Sequence, residues 1–170
     1  MGRFRNVVCV AILLACGCGG SEIQVVKDPF GGIRRGFVVA LGWGFNRVGV
    51  SETKGVYTLS VVIARPGQSR VIVPAGEKCQ FAVGGDIITL TTPTESVPVA
   101  NATQTSIYSQ WKFTFTLSKE EISRFGQAPL TAVKIMVGND EHQAALDPGE
   151  AKRFQHNLIA LTTDPATNGK

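Results

Sequence analysis

The 170-residue chain predicts an α+β fold: an antiparallel β-sheet covered on one face by two C-terminal helices, with a β-sandwich carrying peripheral helices as the alternative. Three observations lead there. Strand patterns of apolar residues, most of them alternating with period two, recur in segments from 23 to 117, both helix-start signals come later, at Ser118 and Asp147, and one further strand pattern separates them. Strands first and helices late is the order of α+β domains, whose helices segregate to one face of an antiparallel sheet. No internal repeat with a period of roughly 20–50 residues is present.

Ile23 to Val26 reads as an edge strand stopped by Asp28-Pro29, with Gly31-Gly32 as the turn. Residues 37–45 alternate, with Phe37, Val39, Leu41, Trp43 and Phe45 on one face and small residues on the other. Val56 to Ala64 puts Tyr57, Leu59, Val61 and Ile63 on one face and ends at Arg65-Pro66-Gly67. Val71 to Val73 is a short strand before Pro74-Ala75-Gly76. Cys79 to Val83 and Ile87 to Leu90 flank Gly84-Gly85, whose adjacent glycines supply the positive φ of a tight hairpin. Residues 93–105, rich in Pro, Thr, Ser and Asn, read as an exposed loop. Ile107 to Leu117 then forms the clearest strand, apolar on one face and polar on the other.

Ser118-x-x-Glu121 is a capping box, and Leu117 before it is placed to staple onto Ile122. Ile122 and Phe125 form the apolar side of that short helix, which Gly126 and Pro129 end. Residues 132–137 return as a strand, closed by the turn Gly138-Asn139-Asp140. Asp147 caps a second helix with Pro148 at its first position; Ala151, Phe154, Leu158 and Leu161 make one stripe toward the core. From Thr162 the tail is polar.

The first fifteen residues have the form of a secretory signal. Arg3 and Arg5 precede an apolar run over 7–14, well short of the roughly 20 residues that a bilayer-spanning helix needs. Leu13-Leu14-Ala15-Cys16 resembles the lipobox of bacterial lipoproteins. That resemblance implies a diacylglyceryl group on the Cys16 thiol, removal of residues 1–15, and acylation of the new N-terminus by chains such as palmitate. It also implies a cell-envelope location, and Gly17 rather than aspartate after the cysteine favours an outer membrane over an inner one. Residues 16–22 would then be a short lipidated tether, 23–162 one globular domain and 163–170 a polar tail. A segment near the domain start, Lys27-Asp28-Pro29-Phe30, and the closing order of short helix, strand and helix also resemble small β-rich bacterial lipoprotein domains of uncharacterised function. That resemblance carries no activity.

Loss of residues 1–15 removes Arg3 and Arg5 and no carboxylate, so the net charge falls from +4 to +2. This is too little to point to nucleic acid. Of the cysteines, Cys9 leaves with the signal. Cys18 and Cys79 remain, and an exported chain meets an oxidising compartment, so they are a candidate disulfide. The competing reading places Cys79 in the core beside Phe81 and Val83.

Residues suited to catalysis do not converge in the sequence. His142 and His156 lack ligand spacing, so no metal is expected. Neither a Gly-x-Ser-x-Gly elbow nor a phosphate-binding glycine loop before a helix is present. The expectation is a non-catalytic envelope lipoprotein without cofactors, held on the membrane through Cys16, acting as an interaction or assembly module. The alternative is a glycan- or peptide-binding lipoprotein using exposed aromatics, with Trp43 and Phe45 as the candidate ligand surface and residues 93–105 as a candidate loop.

Overall fold

The computed structural model describes residues 23–28, 32–42 and 44–163. The signal, Cys16, Cys18, the Pro29-Phe30 step, Trp43 and residues 164–170 lie outside them. The fold is α+β and β-rich, as the sequence predicts. Its strands are β1 (Gln24–Asp28), β2 (Gly32–Ala40), β3 (Arg47–Thr53), β4 (Val56–Pro66), β5 (Lys78–Val83), β6 (Asp86–Thr91), β7 (Val99–Ala102), β8 (Ile107–Leu117), β9 (Leu130–Val137) and β10 (Asp140–Ala145). The helices are α1 (Lys119–Gln127) and α2 (Pro148–Thr163).

The strands form two antiparallel sheets. A curled six-stranded sheet runs β1-β2-β3-β4-β8-β7, and a four-stranded sheet runs β10-β9-β5-β6. Their inner faces share one core. Phe37, Val48, Val50, Leu59, Val61, Trp111 and Phe113 come from the first sheet, and Cys79, Phe81, Ile88, Val133 and Ile135 from the second. Each large apolar side chain withdrawn from water contributes about 1.5–3 kcal/mol. The helices complete this core: α1 packs on β5 and β8, while α2 packs on β2, β3 and β9. A relay of rings joins every layer, Phe115 to Phe81 at 5.8 Å, Phe81 to Phe125 at 5.3 Å, Phe125 to Phe154 at 6.5 Å and Phe154 to Phe37 at 5.4 Å.

Both helix starts form as their sequences require. The Ser118 hydroxyl accepts from Glu121 N at 3.2 Å, and the Glu121 carboxylate accepts from Ser118 N at 2.7 Å. Asp147 Oδ1 accepts from the backbone of Gly149 and Glu150 at 2.8 and 2.9 Å. Ala151, Phe154, Leu158 and Leu161 are all buried. Two ends differ from expectation. Helix α1 continues past Gly126 to Gln127, and α2 reaches Thr163, where the hydroxyls of Thr162 and Thr163 both donate to Ile159 O.

Five strand assignments change. The strand expected over 37–45 stops at Ala40, because Gly42 and Gly44 adopt φ of +65° and +78° and reverse the chain. Leu41 N donates to Asn46 O, Asn46 Oδ1 accepts from Ala64 N at 2.7 Å, and the Arg47 guanidinium donates to the carbonyls of Gly44 and Asn46. Strand β3 follows. Strand β7 lies within the expected loop 93–105 and pairs with the start of β8. Strand β10 begins at Asp140, making Gly138-Asn139 a two-residue hairpin turn. Finally, 71–73 contributes one isolated bridge, Val73 to Ser96, rather than a strand.

Candidate functional site

The outer face of the six-stranded sheet is the candidate site. Register fixes its membership, since residues paired across antiparallel strands share a face. One row runs Gly36, Ser51, Thr58, Thr116; the next runs Val38, Gly49, Ser60, Thr114; a third runs Ala40, Arg47, Val62, Lys112. At one corner Val26, Arg34, Thr53 and Val56 are paired in sequence, and at the opposite corner Ala64, Gln110 and Val99. Alternation forces this pattern: the inward residues of the same strands are the apolar core, so the hydroxyls must face out.

Its chemistry is uneven. Among their outward residues, β2, β3, β4 and β8 carry Arg34, Arg47 and Lys112 and no carboxylate, while the register puts one acidic position, Asp28 of β1, at the edge of the same face. Arg34 donates to Ser51 Oγ at 3.3 Å, and Arg47 is braced by the turn carbonyls named above. Val26, Val38 and Val56 are 57%, 50% and 51% exposed on the same face. Neither helix packs on this side: α1 and α2 meet strands whose inner faces they cover. The face therefore mixes hydroxyls, fixed positive charge and bare valines.

The aromatic residues divide. Trp111 is fully buried and its indole donates to Val71 O at 2.8 Å, while Phe37, Phe113 and Phe115 are core residues. Phe45 is half-buried, and its ring meets Tyr108 edge-on at 4.9 Å beyond the turn. Tyr108 points outward beside Asn101, whose amide donates to Gln110 Oε1 at 2.9 Å. Trp43, the other half of the expected ligand surface, lies outside the described residues. The sequence did not single out Tyr108; its outward position in an otherwise alternating strand was the available signal.

The histidines lie apart in function. His156 is exposed on α2. His142 is half-buried on β10, and its Nε2 has no hydrogen-bond partner. Burial, and then the positive Arg65, lower its pKa. Arg65 itself pairs with Asp140 at 3.1 Å. Cys79 is fully buried, and burial pushes its thiol up to about 12, so it is a core residue and a poor nucleophile at neutral pH. Its expected alternative partner, Cys18, lies outside the described residues.

Among the described residues no three His, Cys, Asp or Glu side chains gather as a metal-binding group. A shallow cleft of about 340 Å³ lies where Thr89, Leu90 and Thr91 of β6 face Phe115, Thr116 and Glu121. Its carboxylate is already used in the α1 cap. No helix among the described residues is long and apolar enough to cross a membrane. Comparison with family models, with curated proteins and with solved structures finds no match to this chain.

Proposed function

We propose that the chain is a membrane-anchored bacterial envelope lipoprotein, a non-catalytic module that works through surface contacts. The observation that carries this reading is the uncovered outer face of the six-stranded sheet, whose hydroxyls and cations are left without any carboxylate from β2, β3, β4 or β8. The lipobox-like Leu13-Leu14-Ala15-Cys16 supports the location, its cysteine eight residue steps ahead of the start of β1. Cys16 would carry the lipid, and the outer membrane is the favoured site in a host that has one.

Two experiments test the two halves. Radiolabelled palmitate should enter the wild-type chain and not Cys16→Ser; labelling that survives the substitution removes the anchor from Cys16. For the surface, Thr58→Cys in a Cys18→Ser background should be shielded from alkylation when the protein sits in its native envelope. Gln80→Cys, on the outer face of the four-stranded sheet, should stay reactive, while buried Cys79 stays silent in both. Equal reactivity at the two positions overturns the surface assignment.

A second reading has its own observation. The Phe45–Tyr108 ring pair beside the Asn101–Gln110 amides combines a stacking surface with hydrogen-bonding groups, as a glycan or peptide would need. Titrating soluble peptidoglycan fragments while following backbone NMR shifts should then perturb residues 45 and 108 first. Shifts confined to other regions exclude it.

A further inference from the structure

We infer that the outer face of the six-stranded sheet docks onto the phosphate headgroups of the bilayer that carries the anchor. This rests on the lipoprotein reading and names the partner of that same face. Three features converge on it. The first is charge: Arg34, Arg47 and Lys112 stand on the face against one carboxylate position, Asp28 of the edge strand β1, and β2, β3, β4 and β8 add none. An anionic leaflet attracts each such side chain with about 1 kcal/mol, roughly fivefold in affinity. The face is thus complementary to a plane of phosphates and indifferent to a neutral one.

The second feature is apolar texture. Val26 neighbours Arg34 across the register, Val56 closes the same row beyond Thr53, and Val38 follows along β2, each at least half exposed. Valines between cations match the layered chemistry of the headgroup boundary, where methyls dip below the phosphates and guanidinium groups remain level with them. The intervening hydroxyls of Ser51, Thr58, Ser60 and Thr114 supply donors to phosphate oxygens.

The third feature is reach. The eight residue steps from Cys16 to Gln24 span at most about 28 Å when fully extended. Strand β1, where the chain enters the domain, borders β2 in this same sheet. Neighbouring strands lie about 4.8 Å apart, so the middle of the face is only about 10–15 Å from the entry edge. An anchor this close holds the face at the leaflet at high effective concentration, adding to an attraction that the face has on its own.

The test separates docking from anchoring by using the mature chain with Cys16→Ser, which cannot be lipidated there. It should co-sediment with phosphatidylglycerol vesicles at low salt, and release as sodium chloride approaches about 0.5 M, where screening shortens the Debye length to a few ångströms. It should ignore phosphatidylcholine vesicles. Replacing Arg34, Arg47 and Lys112 together by glutamine should weaken binding roughly 100-fold. The control pair Lys78→Gln and Lys134→Gln, on the other sheet, should leave it within twofold. Thermal unfolding of the triple variant, matched to wild type, keeps the comparison interpretable. A variant carrying only Thr58→Glu and Thr114→Glu, which adds negative charge without touching the braced Arg47, should also abolish binding. Absence of binding to phosphatidylglycerol, equal binding to phosphatidylcholine, or a triple variant that binds as well as wild type would overturn the docking. None of these results bears on palmitate incorporation, so failure of the anchor at Cys16 remains a separate outcome.

Discussion

Gly49 shows how much a single position decides. It lies opposite Val38, and a Cβ there would stand 2.3 Å from Phe37 O and 2.9 Å from a Val38 methyl. The obstacle is a neighbouring backbone, which cannot swing aside as a side chain would. Gly49→Ala should therefore cost about 2 kcal/mol or more, read as a fall in the urea midpoint at unchanged slope. Gly44→Ala meets nothing within 4 Å and loses only the strain of its φ of +78°, about 1 kcal/mol. His142 gives a pH prediction at the same scale. Burial and Arg65 lower its folded pKa below the ordinary 6.5. The unfolded chain then takes up the proton first as pH falls, so stability declines below about pH 6.5. His142→Gln should flatten that decline in urea titrations between pH 7 and 5. For Cys79 the direction reverses with the chemistry: with a thiol pushed up to about 12, the unfolded chain loses its proton first above about pH 9. Native protein should resist alkylation at Cys79 at pH 8 and react only in denaturant; rapid native labelling would contradict the burial.

Among the elements, those with local signals were the ones legible in the sequence. The two caps, the α2 stripe, the β5–β6 hairpin and β8 each announce themselves within a dozen residues. Removing the α1 cap by Ser118→Ala should cost about 1 kcal/mol, since Glu121 N loses its acceptor and the reciprocal bond loosens; differential scanning calorimetry checks it. Three strands escaped notice, β3, β7 and β10, and the last two share a different character. Strand β7 is exposed along its whole length, and Asp140 to Gln143 of β10 are polar on both faces, so neither shows the alternation that half-burial imposes. Their evidence lay in the punctuation: a strand ending at Gly138-Asn139 implies a returning partner. Residues 37–45 misled for the opposite reason. Alternating aromatics continued the pattern past Leu41, while Gly42 and Gly44 held the information that the chain turns. Of the candidate surface, Phe45 was visible in sequence and Tyr108 was hidden by being the outward residue of a strong strand.

At the scale of the molecule, the fold class was legible but the division into two sheets was not. That division rests on β4 with β8 and β5 with β9, pairings between residues far apart in the chain, for which no short window carries a signal. The outer face was equally invisible, because its rows assemble from four strands. Integrity depends on the ring relay between the layers. Phe81→Ala removes contacts to both Phe115 and Phe125 from a fully buried position and should cost about 3–5 kcal/mol. Near-ultraviolet circular dichroism should weaken alongside the urea midpoint, since both sheets and α1 lose their common neighbour.

The pairing of β4 with β8 has a consequence in time. Its register runs from Pro66 with Tyr108 to Tyr57 with Leu117, and β5, β6 and β7 lie in the chain between the two strands. Loops of this length must close before the ladder rewards them, which makes such topologies slow to fold. While the chain is being delivered from its N-terminus, β1 to β4 can assemble as a meander, but β4 keeps an open row of backbone donors and acceptors until β8 arrives. The nascent molecule therefore passes through an interval in which its best-formed sheet ends in a sticky edge. During that interval a second nascent copy competes with β8 for the same hydrogen bonds, and crowding should favour the wrong partner.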